Sequence, residues 1–252
     1  MRLLLTSLAV ACTTLAFNAS ADDFADTKAK LETALAADLR SDAERERDRN
    51  RRPIETLEFF EFRDDMRVLE LLPGGGWYTK LLAPALADDG ELFLAIGATR
   101  AAEALADKEG FDHVKVTAED AKISRAEGTP FYNLELDDFG VKKVDIVFTF
   151  RNYHNLSEAG RAAMNEASFK ALKSGGIYAV VDHTRRHMEA GSGENRRRFD
   201  PVLAIKEIQA AGFVFEDFTD LHFRADDELR YEVGRRSVSG NTDRWTLKFR
   251  KP

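Results

Sequence analysis

Side chains that can move protons follow two apolar runs of the sequence. The first run covers 144–150 and precedes Arg151, Asn152, Tyr153 and His154, and the second covers 177–181 and precedes Asp182 and His183. Parallel sheets bind ligands at the carboxyl ends of their strands, so these residues are expected to border one crevice. Imidazole titrates near neutral pH, and His154 is therefore our candidate general base, with Tyr153 and Asn152 as further candidate catalytic residues.

The histidines also have a purely structural interpretation. His154 would then be hydrogen-bonded in place and would hold its loop. Asp182 and His183 form either an orienting carboxylate with its base or a structural pair that binds the loop of Arg185, and the second alternative is favoured. The remaining histidines lack supporting neighbours, so we interpret them as surface residues: His113, His187 and His222.

A glycine-rich turn separates a strand pattern (67–72) from a helix pattern (about 77–87). The turn contains three consecutive glycines, Gly74, Gly75 and Gly76, and Glu70 stands four residues before the first of them. Glycines let a ligand approach the main chain, and the first turn of a helix presents unpaired N–H groups. An ordinary tight turn is the alternative, but the buried strand and the acid together favour a nucleotide-like ligand.

Further apolar runs alternate with helix patterns along the chain. The expected strands are 91–96, 114–117, 144–150, 177–181, 213–218 and 245–249, and the expected helices are 101–109, 157–173 and 201–212. Residues 131–136 fit either an edge strand or a loop. This alternation predicts a doubly wound, mostly parallel α/β sheet. The last two strands have no helix between them, so the last one is expected to be antiparallel.

The first 21 residues have the pattern of a secretory signal peptide. Arg2 is their only charge, an apolar stretch covers 3–17, and Ala19-Ser20-Ala21 fits a cleavage site. We expect a periplasmic or secreted mature chain with no stable membrane insertion after cleavage. Lipidation at Cys12 is the alternative, although the usual preceding leucine is missing. Residues 22–252 are expected to form one domain with an N-terminal helical arm (about 22–66).

Composition excludes several kinds of protein. The chain has 252 residues, 44% apolar and 32% charged, and its net charge of −7 argues against a nucleic-acid binder. Its one cysteine, Cys12, lies in the expected signal peptide, so a mature thiolate nucleophile and Cys-ligated metals are excluded. No metal-ligand spacing is evident. The charged run 45–52 fits either a solvated helix, which is favoured, or an arm that lends arginines to the crevice. A second group of arginines could steer an anionic substrate, although solvated charge is favoured: Arg185, Arg186 and Arg196–Arg198.

The chain resembles the class I S-adenosylmethionine-dependent methyltransferases, and more narrowly an exported bacterial group of predicted methyltransferases. The motifs that carry the resemblance are Arg52-Pro53, the segment 70–79, Phe150 to His154, Val181-Asp182-His183, Asp200-Pro201, Ala211-Gly212-Phe213, Thr242-Asp243 and 248–252. The resemblance implies a Rossmann-like sheet of seven strands and S-adenosylmethionine as cofactor. The residues that it implies for cofactor binding are Glu70, Pro73, Gly74, Gly75, Gly76, Asp120 and Arg151.

Two positions depart from that family's pattern. Leu72 stands where the first glycine of the motif usually lies, and Ile96-Gly97 replaces the acid that binds the ribose hydroxyls. Asp120 resembles the acid that contacts the adenine amino group. The leading hypothesis is a methyltransferase for an unidentified small molecule. A non-catalytic exported ligand-binding protein is the alternative, and a nicotinamide-dependent oxidoreductase is disfavoured because the second strand lacks a terminal acid.

Overall fold

The computed structural model describes residues 24–125 and 128–252, so the expected signal peptide lies outside the described residues. The strands are β1 (Arg67–Leu71), β2 (Glu91–Ala95), β3 (Lys115–Thr117), β4 (Lys122–Arg125), β5 (Tyr132–Glu135), β6 (Val144–Phe150), β7 (Leu172–His183), β8 (Val214–Thr219) and β9 (Arg244–Arg250). The helices are α1 (Ala25–Ala36), α2 (Asp42–Arg45), α3 (Asp48–Arg51), α4 (Pro53–Phe59), α5 (Thr79–Leu86), α6 (Thr99–Leu105), α7 (Glu158–Ala171) and α8 (Pro201–Ala210). None of the helices in these two ranges is long and apolar enough to cross a membrane.

Seven of the strands form one sheet in the order β3-β2-β1-β6-β7-β9-β8. The neighbours from β3 to β7 pair in parallel, and β9 pairs antiparallel with both β7 and β8. Apolar side chains fill both faces, as the continuous apolar run of β6 requires for a strand covered on both sides. The expected mostly parallel α/β sheet with an antiparallel last strand is confirmed.

Strand β7 is longer than its apolar run. The sequence places the strand at 177–181, but β7 extends to His183, because Asp182 and His183 pair with Trp245 and Arg244 of β9. Asp182 and His183 are therefore the last residues of a strand and not the start of a loop. At its other end β7 includes Gly175 and Gly176, which exchange main-chain hydrogen bonds with Lys251. The expectation that these glycines lie outside the strand was wrong.

A separate two-stranded sheet lies beside the main one. Residues 132–135 form β5, which pairs antiparallel with β4 and not with the main sheet. The sequence did not predict β4, because its four residues are all exposed and show no buried side of a strand. Tyr132 also bridges to Leu156, which holds the hairpin next to the loop that follows β6.

The N-terminal arm folds as short helices and not as one long helix. A capping box of Ser41 and Glu44 starts α2, and α3 ends at Arg51, whose side chain is only 3% exposed. The guanidinium of Arg51 stacks 4.1 Å from the ring centroid of Trp77, just after the glycine turn. The favoured interpretation of this charged run as a solvated helix was wrong for Arg51, which is buried over the carboxyl edge of the sheet. Other members of the run are exposed: Glu46, Arg47 and Arg49.

Candidate functional site

Two adjoining cavities open at the carboxyl edge of the parallel strands. The larger, about 610 Å³, we call the arginine pocket, and the arginines that line it are Arg47, Arg49, Arg51, Arg151, Arg197 and Arg244. The smaller, about 230 Å³, we call the glycine pocket, and it is lined among others by Glu70, Pro73, Gly74, Gly75, Tyr78 and Asn152. Arg47, Arg51 and Arg151 line both cavities, so they form a shared wall.

A buried carboxylate orients His154 at the arginine pocket. Nδ1 of His154 lies 2.5 Å from Oδ1 of Asp182, which is completely buried at the end of β7. Asp182 also accepts hydrogen bonds from the main-chain N–H groups of His154 (2.9 Å) and His183 (2.6 Å). Among the described residues Nε2 of His154 has no hydrogen-bond partner, and His154 lines the pocket. This geometry leaves Nε2 to accept a proton from a ligand, with Asp182 as the orienting group.

The residues that follow four parallel strands have left-handed main-chain conformations without being glycine. They are Leu72 (φ 53°), Ile96 (φ 62°), Ala118 (φ 54°) and Arg151 (φ 60°), which come directly after β1, β2, β3 and β6. Such a conformation costs roughly 1–2 kcal/mol for a residue with a side chain. Strain of this kind is concentrated at functional sites. The left-handed conformation turns the main chain sharply at the end of each strand. Arg151 is held in this conformation because its main-chain N–H donates to the carbonyl of Val181 (2.6 Å).

Glu70 and the glycines form the floor of the glycine pocket. The Glu70 carboxylate is 2% exposed and accepts a hydrogen bond from the Thr79 hydroxyl (2.6 Å). Burial raises the pKa of Glu70 to about 7, against the opposing effects of Thr79 and Arg51. A Cβ atom added at Gly74 or Gly75 would meet nothing within 4 Å, so side chains there would fill the open cavity. These two glycines therefore border the ligand space.

Gly76 has a different role from its two neighbours. A Cβ atom at Gly76 would lie 3.1 Å from Cδ1 of Leu105 in α6, and Gly76 is not among the residues that line the glycine pocket. The assignment of Gly76 to cofactor binding is corrected, because atoms added there would press on α6 and not enter the glycine pocket. Gly76 instead allows α6 to pack closely against the turn.

The region expected to hold a nucleoside forms a third cavity of about 510 Å³, beyond β2 and β3. Ile96 and Gly97 line it, together with the carboxylate-bearing Glu103 and Glu119. Asp120 is exposed and does not line this cavity. The structure therefore does not bring the expected adenine-binding acid to the cavity wall, although its neighbour Glu119 lies there.

The structure separates Tyr153 from His154. A short 3₁₀ turn covers Tyr153–Asn155 and directs the tyrosine into the core, where its hydroxyl donates to Glu207 (2.9 Å) and accepts from Asn165 (2.9 Å). Burial raises the pKa of Tyr153 above its usual value. Tyr153 lines neither pocket, so it is a core residue and not a catalytic one in this arrangement. This corrects the assignment of Tyr153 as a candidate catalytic residue.

Asn152 connects two loops of the site. Its side-chain amide donates to the carbonyls of Leu72 (3.0 Å) and Phe150 (3.1 Å). It lines the glycine pocket and not the arginine pocket that His154 lines. Asn152 therefore fixes the glycine turn relative to the loop after β6, and any contact that it makes with a ligand is in the glycine pocket.

Three arginines of the arginine pocket, Arg51, Arg151 and Arg244, have lowered pKa values. Burial lowers the pKa of Arg51 to about 8, and the nearby charge of Arg151 lowers it further. Burial, followed by the charge of Arg151, lowers the pKa of Arg244 to about 10. The pKa of half-buried Arg151 is also lowered, chiefly by burial. Sequence reasoning missed Arg244, and it covered Arg51 only in the disfavoured alternative that the charged run 45–52 lends arginines to the crevice.

The loop between β8 and β9 (residues 220–243) forms the remaining wall of the arginine pocket. Arg198 and Asp227 anchor it through a fully buried ion pair (2.9 Å). The hydroxyl of Thr242 lies 2.9 Å from Nδ1 of His183, whose pKa is held well below its ordinary value, chiefly by burial. The interpretation of Arg198 as solvated charge was wrong, because this loop covers it.

Two of the three histidines assigned to the surface have polar partners. Nδ1 of the half-exposed His187 lies 2.9 Å from Asp200, which caps α8. His222 is buried, which corrects its assignment to the surface. Within residues 24–125 and 128–252, no three His, Cys, Asp or Glu side chains converge as a metal site would need.

Comparisons with known proteins show the fold. No family model and no curated protein matches the sequence. A SAM-dependent methyltransferase from Aquifex aeolicus is 16% identical, with 88% of this chain and 97% of that chain covered and a TM-score of 0.56. The [4+2]-cyclase SpnF is 16% identical (90% and 93% covered, TM-score 0.53). The pyocyanin biosynthetic protein PhzM is 15% identical (79% covered, TM-score 0.52), and the match spans 53% of that chain. Because one of these proteins is a cyclase, the shared fold does not fix the reaction.

Proposed function

We propose that this chain is an S-adenosylmethionine-dependent methyltransferase that acts on a small molecule. The observation that carries the proposal is the buried Asp182–His154 pair, in which His154 lines a cavity that shares a wall with the glycine pocket. A cofactor pocket beside an acceptor pocket that contains a positioned base is an arrangement suited to methyl transfer to a protonated nucleophile. The resemblance of the glycine turn to the class I motif supports the same function.

The residues of the glycine pocket fit the amino-acid end of this cofactor. The open space beside Gly74 and Gly75 admits a ligand against the main chain, and the buried Glu70 is a carboxylate for an ammonium group. Arg151 and Asn152 border the same cavity, and Glu103 and Glu119 are the carboxylates nearest the place of the ribose. When bound, S-adenosylmethionine supplies an electrophilic methyl group.

His154 has the role of general base in this proposal. Its Nε2 takes the proton that the acceptor loses, while Nδ1 donates to Asp182. The buried carboxylate fixes the tautomer and stabilises the imidazolium that forms. Loss of such a base costs on the order of 10²- to 10⁴-fold in rate.

Calorimetry with S-adenosylhomocysteine tests the proposal, with NAD as the control ligand. We expect saturable binding of S-adenosylhomocysteine and none of NAD. An acceptor screen with S-adenosylmethionine must include thiols, amines and phenols, because no side chain of the pocket selects among these nucleophiles. Failure to bind S-adenosylhomocysteine would exclude a methyltransferase.

A second candidate function is a non-catalytic ligand-binding protein with the same fold. The observation that favours it is the loop after β2, where Ile96 and Gly97 replace the usual ribose-binding acid. Binding of S-adenosylhomocysteine without methylation of any acceptor in the screen would favour this second candidate.

We also propose that the chain is exported and that residues 1–21 are removed. The apolar stretch 3–17 followed by Ala19-Ser20-Ala21 supports this proposal. The intact mass of the protein from its native host should correspond to a chain that begins at Asp22. A species that begins at Cys12 with added acyl mass would contradict it.

A further inference from the structure

The arginine pocket has an excess of positive charge. Six arginines line it and Glu46 is the only acidic residue among its lining residues. Arg197 pairs with Glu232. The other five form no ion pair with a carboxylate in the part of the chain that the structure describes: Arg47, Arg49, Arg51, Arg151 and Arg244. The pocket is therefore strongly positive although the whole chain has a net charge of −7.

Part of this charge is buried and only partly hydrogen-bonded. Nη1 of Arg244 donates to the main-chain carbonyl of Asn50 (2.6 Å). Arg51 and Arg244 are 3% and 7% exposed. The Nε atoms of Arg151 and Arg244 are enclosed and make no hydrogen bond with the described residues. Burying a charge is costly unless it is paired and hydrogen-bonded. These groups are thus arranged for a partner that the chain itself does not supply.

Other buried arginines in the same molecule are paired. Arg40 pairs with Asp48, Arg161 with Glu207 (2.7 Å), and Arg198 with Asp227 (2.9 Å). The contrast shows that the chain neutralises buried guanidinium groups elsewhere and leaves them unpaired at this pocket. Stacking on Trp77 holds Arg51 in place and the hydrogen bond to Asn50 holds Arg244, but neither contact supplies the negative charge that the other buried arginines have.

The acid closest to the cluster and the proposed cofactor do not remove the excess. Asp182 attracts Arg151 and Arg244, but it already accepts three hydrogen bonds from His154 and His183. S-adenosylmethionine carries two cationic groups and one carboxylate, so its binding adds positive charge next to the shared wall. The missing negative charge must come with the other ligand.

We propose that the arginine pocket binds an oxyanion, and that the methyl acceptor is a small molecule with carboxylate or phosphate groups. Arginine forms paired hydrogen bonds with both kinds of group, which fixes the orientation of the ligand. His154 lines the same pocket, so an acceptor held by the arginines has its nucleophilic atom near Nε2. The inference that the bound anion is the methyl acceptor rests on the proposed function, whereas the inference that the pocket binds an anion does not.

Calorimetry on the full-length mature chain tests the anion site, with pyrophosphate and citrate as probes at low ionic strength. We expect at least one of them to bind, and added NaCl to weaken the binding. Arg151→Gln and Arg51→Gln should each weaken it by about tenfold or more, as expected when a hydrogen bond between charged groups is lost. The matched control is Arg63→Gln, an exposed arginine that pairs with Asp65 (3.1 Å) away from the pocket, and it should change affinity less than about twofold.

Thermal unfolding of the same variants separates a ligand site from a structural role. Arg51→Gln removes a buried charge that has no carboxylate partner, although it also loses the stacking on Trp77, and should lower the melting temperature less than Arg161→Gln, which leaves Glu207 without its ion pair. The proposal is overturned if neither probe binds the wild type, or if both pocket variants bind as tightly as the wild type. Titration with S-adenosylhomocysteine distinguishes the two proposals. If S-adenosylhomocysteine binds and the anions do not, only the anion-site proposal fails. If the anions bind and S-adenosylhomocysteine does not, only the methyltransferase proposal fails.

Discussion

Nε2 of His222 lies 2.9 Å from the main-chain carbonyl oxygen of Arg51, and Nδ1 of the same ring lies 2.6 Å from the hydroxyl of Thr246. The ring therefore connects the N-terminal arm to β9. A carbonyl oxygen only accepts, so Nε2 carries the proton and Nδ1 accepts from Thr246. Burial lowers the pKa of His222 to about 4, which keeps this ring neutral.

His222 should make the protein less stable in acid. Its pKa falls from 6.5 to about 4 on folding. The unfolded chain then binds more protons between these values, so stability falls as the pH drops from 6.5 through 4. When the pH is lowered from 7 to 4.5, we expect the free energy of unfolding of wild type to fall by about 2–3 kcal/mol more than that of His222→Gln. Urea denaturation at both pH values measures this difference. His183 is present in both proteins, so its own pH dependence cancels in the comparison. Equal losses would contradict the prediction.

Glu70 should have the opposite pH dependence. Its pKa rises from 4.5 to about 7 on folding, so the folded state binds more protons in this range and stability falls as the pH rises through 7. The groups that face it are Arg51, Tyr78 and the Thr79 hydroxyl. Glu70→Gln keeps a hydrogen-bond acceptor for Thr79. From pH 5 to pH 8 its free energy of unfolding should rise by about 3 kcal/mol relative to that of wild type. If the free energy of unfolding changes equally in the two proteins between pH 5 and pH 8, Glu70 does not titrate in this range.

Substitutions in the glycine turn should separate ligand binding from packing. Gly74 has φ 61°, and its Cβ would enter open space, so Gly74→Val should abolish S-adenosylhomocysteine binding. Gly140 is the matched control, because its φ is 67°, its Cβ also meets nothing, and it lines none of the three cavities. Gly140→Val should therefore have a similar loss of stability, about 1–2 kcal/mol, and full binding.

Gly76→Val should act mainly on stability. The new side chain would press on Leu105 and displace α6, so the melting temperature should fall more than in Gly74→Val. Calorimetry and thermal unfolding on the three valine variants test this order. If Gly74→Val binds S-adenosylhomocysteine as tightly as wild type does, the glycine turn is not part of the ligand site.

His154→Ala should lower turnover and leave cofactor affinity unchanged. A proton acceptor contributes on the order of 10²- to 10⁴-fold, and Nε2 faces the arginine pocket and not the glycine pocket. Glu70→Ala should have the reverse effect and weaken S-adenosylhomocysteine binding first. Single-turnover rates and calorimetry on both variants are the measurements. If His154→Ala lowers melting temperature and affinity together, the histidine only holds its loop.

The alternation of strands and helices was predictable because its cues are local. The buried run of β6 and the starts of α7 and α8, where Ser157 and Asp200 cap the helices, are visible in the chain. The left-handed residues after β1 and β6, Leu72 and Arg151, were not predictable, because no side-chain preference for that conformation marks them. Tertiary contacts impose it instead.

Neighbouring residues in the site could not be separated from the sequence. One turn of 3₁₀ helix directs Tyr153 to the core and His154 to the pocket, and the sequence does not indicate such a turn. The position of Arg51 depends on contacts with Trp77 and His222, which are distant in sequence. Local patterns therefore predicted the candidate base but not the charged wall opposite it.

In the proposed function, the shared wall of the two cavities would make donor and acceptor binding interdependent. Arg47, Arg51 and Arg151 border both, so an anion in one cavity offsets the repulsion that a cationic ligand meets in the other. Thermodynamic linkage makes this heterotropic coupling reciprocal, and each ligand raises the affinity for the other by the same factor. After transfer the donor has lost its sulfonium charge, and the coupling weakens. The same arginines that favour assembly of the reactant complex thus favour release of the spent donor.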